Sequence, residues 1–502
     1  MGRNTTPATG APHLIITAQM VRATLMCARQ VWLEQYGDPA LRGALSLQAR
    51  LLLEQGQQHE ITIQQTEAPQ LEPLPVASWE EGVRLTRDAL SQGVTGLWHG
   101  FLEHQAPLDL TDRLFTVRGQ PDLLQRVPCF GTLAYRPIEI KRRRTPQHAD
   151  WVQLDLYTWL LRQVQMETAP GELWLGADEY GRPWQRLPHE YDEERLMEAL
   201  TATIATLDAP SMPSATLGRH CDFCLWQEAC FATRVQAGQV DVLPGVGPAL
   251  RGELEAARLY TIEDVAACPL EVLQQVRGVG SQRARQLQAS ARAWVEGRPI
   301  WHEALPAAYR RAGWMFDLET CEVNGKTMPW CMGWCDSEGQ AQIALLAPGQ
   351  DPQTLILPDG QSVMLAADVE SLWATLADAV AGTDGPIYHW SPYDRSMLNS
   401  SAPPDLCEQL APRFVDLLAV CRRTVSLPLP SLSLKAVAPY LGFPWPGHDD
   451  WFLAYQDYQS WLDWGDLEAL ARACTYQRAD VQALAWVWRW LVEHAAHPVF
   501  PD

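Results

Sequence analysis

The chain has 502 residues, 47% apolar and 20% charged, with a net charge of −21. That length exceeds one ordinary core, so two or three domains are expected, and the composition excludes a largely disordered chain. The acidic total excludes a uniformly basic nucleic-acid binder but not a local basic track, and one stands at Lys141-Arg142-Arg143-Arg144.

Met1 to Pro7 is polar, without the charged-then-apolar order of a signal peptide, and no apolar run reaches the roughly 18 residues of a membrane span, so a cytoplasmic protein is expected. Helical patterns follow over Ala18 to Gln35 and Ala44 to Ile63, then a Pro-rich stretch near Glu67 to Pro75. Strand-like runs come at Leu114 to Val117, Asp122 to Val127 and Pro137 to Ile140, with a helix from Trp151 to Arg162. A middle segment from Val240 to about Pro299 repeats a Gly-Val-Gly turn. Strands are expected again at Gly313 to Leu318, Pro329 to Cys335 and Gln342 to Leu346, and a long helix from about Leu467 to Ala495 closes the chain. This pattern predicts an α/β multidomain protein: residues 1–239, a small all-α module over 240–300, and a second α/β domain over 301–502.

The first chemical constellation runs Gly119-Gln-Pro-Asp122, Glu139-Ile-Lys141 and Gln153-x3-Tyr157. Strand alternation puts Glu139 and Lys141 on one face, and helical spacing puts Gln153 and Tyr157 one turn apart. Asp122 and Glu139 can hold a divalent ion that generates hydroxide and polarises a phosphate. Lys141 offers a compact ammonium that can orient the attacking water, a task for which arginine's rigid fork is poorly shaped. The choice is informative because only Lys141, Lys326 and Lys435 are lysines among 39 basic residues. Glu-x-Lys alone is as readily a surface ion pair; the upstream acid, downstream helix and adjacent basic run give it weight.

This pattern resembles the RecB family of PD-(D/E)xK nucleases, with a restriction-endonuclease-like fold, including its iron–sulfur AddB-type and CRISPR-adaptation members. The family's helical histidine after a glycine is matched by Gly56-Gln-Gln-His59. The resemblance implies His59, Asp122 and Glu139 as ligands of Mg²⁺ or Mn²⁺ and Lys141 as the catalytic lysine.

Of twelve cysteines, only Cys221-x2-Cys224-x5-Cys230 cluster, and soft thiolates at that spacing select zinc or iron–sulfur. His220 is adjacent, but no fourth cysteine is local. The iron–sulfur RecB-type nucleases take theirs from an N-terminal Cys-x-Arg, matched by Cys27-Ala-Arg29. The resemblance therefore implies a [4Fe–4S] cluster, with zinc as the alternative, stapling a loop of roughly 190 residues.

In the middle segment, Leu243-Pro-Gly245-Val-Gly247 recurs as Val276-Arg-Gly278-Val-Gly280, each entering a helix near Pro248 or Ser281. Such turns expose N–H groups at a helix N-terminus, where phosphate binds, and Arg283 and Arg285, like Arg142 and Arg143 earlier, add sequence-blind charge. A helical spacer used only for docking is the plainer alternative. The duplication resembles a tandem helix-hairpin-helix module.

The last constellation is Asp317-Leu-Glu319 on one strand face, Asp394 after the apolar run Ile387-Tyr-His-Trp, and Tyr476-x3-Asp480 on the terminal helix. Carboxylates gathered without a cation raise one another's pKa; two divalent ions roughly 4 Å apart relieve this and clamp both oxygens of a phosphodiester. The order resembles the DEDDy branch of RNase H-like 3′–5′ exonucleases, closest to the YprB-like group. That implies Asp317, Glu319, Asp394 and Asp480 as metal ligands, Tyr476 orienting or deprotonating water, and Lys435 of Ser433-Leu-Lys435 at a phosphate. Ser391-Pro-Tyr-Asp394 departs from the group's Asn-x2-Phe-Asp, which removes an expected asparagine contact. The combined expectation is a two-site DNA nuclease of repair or recombination, with room for a helicase partner. The rival readings are a DNA-end-binding scaffold with vestigial sites and an RNA-processing exonuclease.

Overall fold

The computed structural model describes residues 14–45, 47–71, 73–107, 114–129, 131–165, 167–177, 184–215, 218–323, 326–446 and 451–495. Met1 to Pro7, read above as a polar start, lies outside them. The chain divides into two compact units, Met1–Cys230 and Phe231–Asp502. Among the described residues no helix is long and apolar enough to cross a membrane.

The first unit is built on a five-stranded sheet in the order Gly96–Trp98, Leu123–Cys129, Thr132–Lys141, Glu172–Leu175, Gln185–Pro188. The central pair Leu123–Cys129 and Thr132–Lys141 is antiparallel, and Thr132–Lys141 then runs parallel to Glu172–Leu175. A three-stranded sheet of Leu14–Thr17, Leu114–Gly119 and Leu102–Pro107 adjoins. The helix His148–Arg162 is apolar on nearly every side, and Val152, Leu156 and Leu160 pack with Ile16, Phe115 and Val117 in the main core. It starts three residues earlier than the apolar period suggests because Gln147 and Asp150 form a capping box. The expected continuous helix Ala18 to Gln35 is a correction: it is two helices, Ala18–Met26 and Ala28–Tyr36, broken where Cys27 takes an extended backbone at φ −161°.

In the second unit a seven-stranded sheet has the order Gln353–Ile356, Ser362–Ala366, Ala341–Leu346, Lys326–Cys335, Trp314–Val323, Ile387–His389, Phe414–Asp416. Trp314–Val323 pairs antiparallel with Lys326–Cys335 and parallel with Ile387–His389. Both sheet faces are covered. Met332 and Trp334 pack towards the helix Val369–Val380, whereas Cys335 on the alternate face donates its thiol to Val481 O of the helix Leu467–His494. The helices between residues 240 and 297 have an apolar core of their own, around Val242, Leu254, Val265 and Leu287, yet belong to this second unit. Gln286 donates to Arg422 O at 2.9 Å, and Val425–Ser426 pairs antiparallel with Ile300–Trp301.

Candidate active sites

In the first unit Asp122 precedes one central strand while Glu139 and Lys141 end the other. The Ile140 N–H donates to Asp122 Oδ2 at 2.6 Å, which locks the two acids side by side. Glu139 is 2% exposed and ion-paired with Lys141, but its Oε2 is buried with no hydrogen-bond partner among the described residues. An orphaned carboxylate oxygen is costly unless a cation meets it. Burial, and then the Asp122 charge, push Glu139 up to about 7. Burial also lifts Asp122 to about 6, against the pull of Lys141. Burial works against the Lys141 ammonium, but the two carboxylates outweigh it and hold its pKa above the ordinary value. From the helix His148–Arg162, Gln153 donates to the Tyr157 hydroxyl at 2.6 Å. Burial, then the charges of Glu139 and Asp122, drive that phenol well above its usual range. The donor set suits a divalent cation.

Two further residues reach this site that sequence reasoning missed, Glu60 and His99. The ligand atoms of Glu60, His99 and Asp122 lie within 4.8 Å of one another. His99 follows the strand Gly96–Trp98, whose Trp98 pairs with Leu123, so its N–H meets Asp122 O at 3.0 Å. The expected ligand His59 stands outside that trio; its Nε2 is buried without a hydrogen-bond partner among the described residues. Burial and then Arg142 hold its imidazole below the usual pKa. Neighbours on one helix leave it about 100° apart, so His59 and Glu60 point in different directions. Arg22, also unremarked in the sequence, contributes positive charge at Glu139 and Lys141.

In the second unit Asp317 and Glu319 leave one face of the strand Trp314–Val323, and Tyr476 and Asp480 leave successive turns of Leu467–His494. Asp317, Glu319 and Asp480 bring ligand atoms within 4.8 Å of one another. Asp394, in the first turn of Tyr393–Ser401, is 3% exposed, with Oδ2 3.5 Å from His389 Nδ1, which itself meets Ser391 O at 2.6 Å, and the backbone N–H groups of Asp394 and Leu318 favour its charged form. Its charge acts on both Asp317 and Glu319. Burial, then Asp480, push Asp317 well above the carboxylate range and Glu319 up to about 8. Tyr476 hydrogen-bonds to Glu319 and Asp480. Lys435 Nζ lies 2.7 Å from Asp480 Oδ1, over the rings of Tyr476 at 4.1 Å and Trp445 at 4.2 Å. The buried Gln477 donates to both Asp317 Oδ2 and Asp317 O at 2.9 Å. Gly333 makes room for it, since a Cβ there would meet Gln477 Cγ at 2.9 Å. Four converging acids, of which Asp317, Glu319 and Asp394 have raised pKa values, are the donor set that a pair of divalent ions neutralises.

Residues 19–231 match the PD-(D/E)XK nuclease superfamily, and residues 314–492 match the RNase_H superfamily. The chain carries two nuclease domains. Both superfamilies hydrolyse phosphodiesters, so the protein is a phosphodiester hydrolase and its substrate is nucleic acid. No curated protein matches the chain. A solved structure, the crystal structure of SSO0001, is 16% identical over 45% of this chain and 89% of its own, with a TM-score of 0.24, too low to speak for the fold.

Within the PD-(D/E)XK domain Cys27, Cys221 and Cys230 all bear on Cys224. Cys27 stands at the helix break, Cys221 and Cys224 at the turn Arg219–Phe223 and Cys230 on the helix Gln227–Gln236. Burial, and then the neighbouring thiols of Cys230, Cys221 and Cys27, push Cys224 up to about 11. The basic run beside Lys141 divides: Arg142 is exposed, whereas Arg143 is ion-paired with the buried Asp150 and donates to Thr145 O.

Residues 240–300 fall between the two nuclease matches. Gly245 and Gly278 adopt φ +81° and +79°, the left-handed turn that glycine permits. Gly247 and Gly280 cap the helices Pro248–Ala256 and Ser281–Glu296, and nothing lies within 4 Å of where their Cβ atoms would be. The valines between, Val246 and Val279, are buried anchors. Arg283 donates to Gly278 O and Gly245 O, both at 3.1 Å, so its fork braces the two hairpins against each other.

Proposed function

We propose that the protein is a DNA nuclease with two metal-dependent sites, a RecB-like cutting site and a 3′–5′ exonuclease site of the DEDDy type, acting in repair or recombination. The observation that carries this reading is the convergence of Asp317, Glu319 and Asp480 with buried Asp394 behind them and Tyr476 hydrogen-bonded among them. When bound, Mg²⁺ or Mn²⁺ would supply an activated water and a Lewis acid for the scissile phosphate. Asp317, Glu319, Asp394 and Asp480 would hold the ions, Gln477 keeping Asp317 aimed. Tyr476, protonated, would orient the attacking water, and Lys435 would hold a phosphate oxygen. In the first site Asp122 and Glu139 would be ligands and Lys141, with Gln153 and Tyr157 behind it, would position the nucleophile.

Cys27, Cys221 and Cys230 all act on Cys224, and the four thiols are a donor set suited to a [4Fe–4S] cluster, with zinc as the alternative. The open space around Gly247 and Gly280 at the two helix starts supports reading the paired turns as helix-hairpin-helix motifs on a DNA backbone. Matched 5′-labelled DNA and RNA strands with free or blocked 3′ ends test the whole. Metal-dependent 3′ trimming of DNA that Asp317→Asn abolishes is expected. Trimming of RNA alone would move the substrate assignment, and binding without turnover would favour an end-binding scaffold. Iron and sulfide analysis of anaerobically purified protein tests the cluster separately.

A further inference from the structure

The first site leaves several polar atoms unmet, and a cation satisfies only some of them. Glu139 Oε2, Gln153 Oε1 and His59 Nε2 are all buried with no hydrogen-bond partner among the described residues. Oxygen and imidazole nitrogen are atoms that a divalent ion or its waters can meet. Arg22 is different. Its Nε is buried and unpartnered too, but it is a donor on a permanent cation, so no metal can satisfy it. Among the described residues its guanidinium pairs with no carboxylate, in a chain with 60 acidic residues to 39 basic ones. Local structure fixes its place. Thr17 caps the helix Ala18–Met26, accepting from Met20 N at 3.1 Å, and pairs in the sheet with Arg118, just before the Gly119 to Asp122 turn. The next residue to Arg22, Val21, is 1% exposed and shares the main core with Val152, Leu156 and Tyr157. The helix is thus held against both the chain that leads to Asp122 and the helix that carries Gln153 and Tyr157. From there the Arg22 charge acts on Glu139, Lys141 and Tyr157.

We propose that Arg22 is a catalytic residue of the first site, its guanidinium binding a non-bridging oxygen of the phosphate that is cut. The inference rests on reading the first domain as a metal-dependent nuclease. An arginine placed to neutralise the acids would pair with one of them, yet Glu139 pairs with Lys141 and leaves Arg22 alone. An arginine placed for packing would find acceptors, as Arg143 does in Asp150 and Thr145 O. A donor shut off from water with neither is costly, and a second cation near Lys141 adds to that cost. Both costs vanish when an anion arrives from outside, and the substrate brings one. The flat fork matches the paired oxygens of a phosphate, and it meets the negative charge that these oxygens carry through hydrolysis.

The test is single-turnover cleavage of labelled DNA by the full chain carrying Asp317→Asn, in which Lys141→Ala identifies the activity of the first site. Cleavage should slow about 100-fold in Arg22→Met, the loss expected when one preorganised donor to a charged oxygen is removed. Arg22→Lys, which keeps the charge without the fork, should recover part of it. The salt slope of apparent DNA affinity should fall by about one phosphate contact in Arg22→Met. Two readouts separate this role from a structural one. Melting temperatures without DNA should hold at the parent value, since the guanidinium has no partner to lose, and the Mn²⁺ concentration for half-maximal rate should not rise. Parent-like cleavage in Arg22→Met, or a loss matched by a collapsed melt or a raised Mn²⁺ requirement, would overturn the proposal and leave the nuclease reading intact. If the Asp317→Asn chain shows no cleavage that depends on Lys141, the nuclease reading of the first site fails and the phosphate position fails with it.

Discussion

Several carboxyl groups of the two sites are raised together: Asp122 to about 6, Glu139 to about 7 and Glu319 to about 8, each chiefly by burial. An unfolded carboxyl ionises near pH 4. Between there and its folded pKa each group binds a proton that the unfolded chain has lost, so its stabilising contribution is complete below about pH 4 and disappears as pH rises through 6 to 8. Metal-free protein should therefore melt at a lower temperature near pH 8.5 than near pH 5.5, and added Mn²⁺ should close much of that gap. Glu139→Gln should shrink it; thermal melts at both pH values check this. A second residue carries strain. Ser391 stands at φ +83°, where serine is disfavoured and asparagine tolerated. Ser391→Asn should raise stability by about 0.5–1 kcal/mol, read from denaturant midpoints.

Whole elements decide how firmly the acids are aimed. The helix Leu467–His494 approaches the strand Lys326–Cys335 closely only because Gly333 has no side chain, and Gln477 fills the space to hold Asp317. Gly333→Ala should displace Gln477 and lower 3′ trimming by about tenfold or more, with a stability loss of about 1–3 kcal/mol from overpacking, measured by single-turnover kinetics and denaturation. The hairpins offer a cleaner separation. Gly247→Ala and Gly280→Ala meet open space at ordinary φ, so folding should be unaffected; weakened DNA affinity with a changed salt slope in fluorescence anisotropy is expected if a phosphate approaches there. Gly245→Ala and Gly278→Ala, at positive φ, should cost stability instead. These elements were legible in the sequence where period and turn chemistry are local. Asp317 with Glu319, Gln153 with Tyr157 and Tyr476 with Asp480 each sit on one strand or helix, so their spacing alone puts them together. Glu60, His99 and Asp122 come from three elements separated by tens of residues, and only strand pairing and helix docking join them. Gln477 adjoins the tyrosine that spacing singles out, but its partner Asp317 lies far away in the chain and only helix docking joins them, and the break at Cys27 opposes an apolar period that runs straight through it.

At the scale of the molecule, two compact units each contain a set of carboxylates drawn together by their own sheet. Loss of one site should leave the other turning over: Lys141→Ala should abolish only the activity that remains in Asp317→Asn, and the double variant should be inert, as product analysis on labelled DNA will tell. The scarcity of lysine has a practical consequence of its own. Lys141 and Lys435 lie partly covered against Glu139 and Asp480, while Lys326 is exposed. Among the lysines an amine-acylating reagent thus finds one open target and two that guard the acids. Lys326 should react at a rate blind to metal and substrate, whereas the other two should change theirs as each site fills. A digest by a lysine-specific protease would yield few peptides, so mass spectrometry of acylated protein gives an occupancy gauge for both sites in a single experiment, with its internal standard already in the chain.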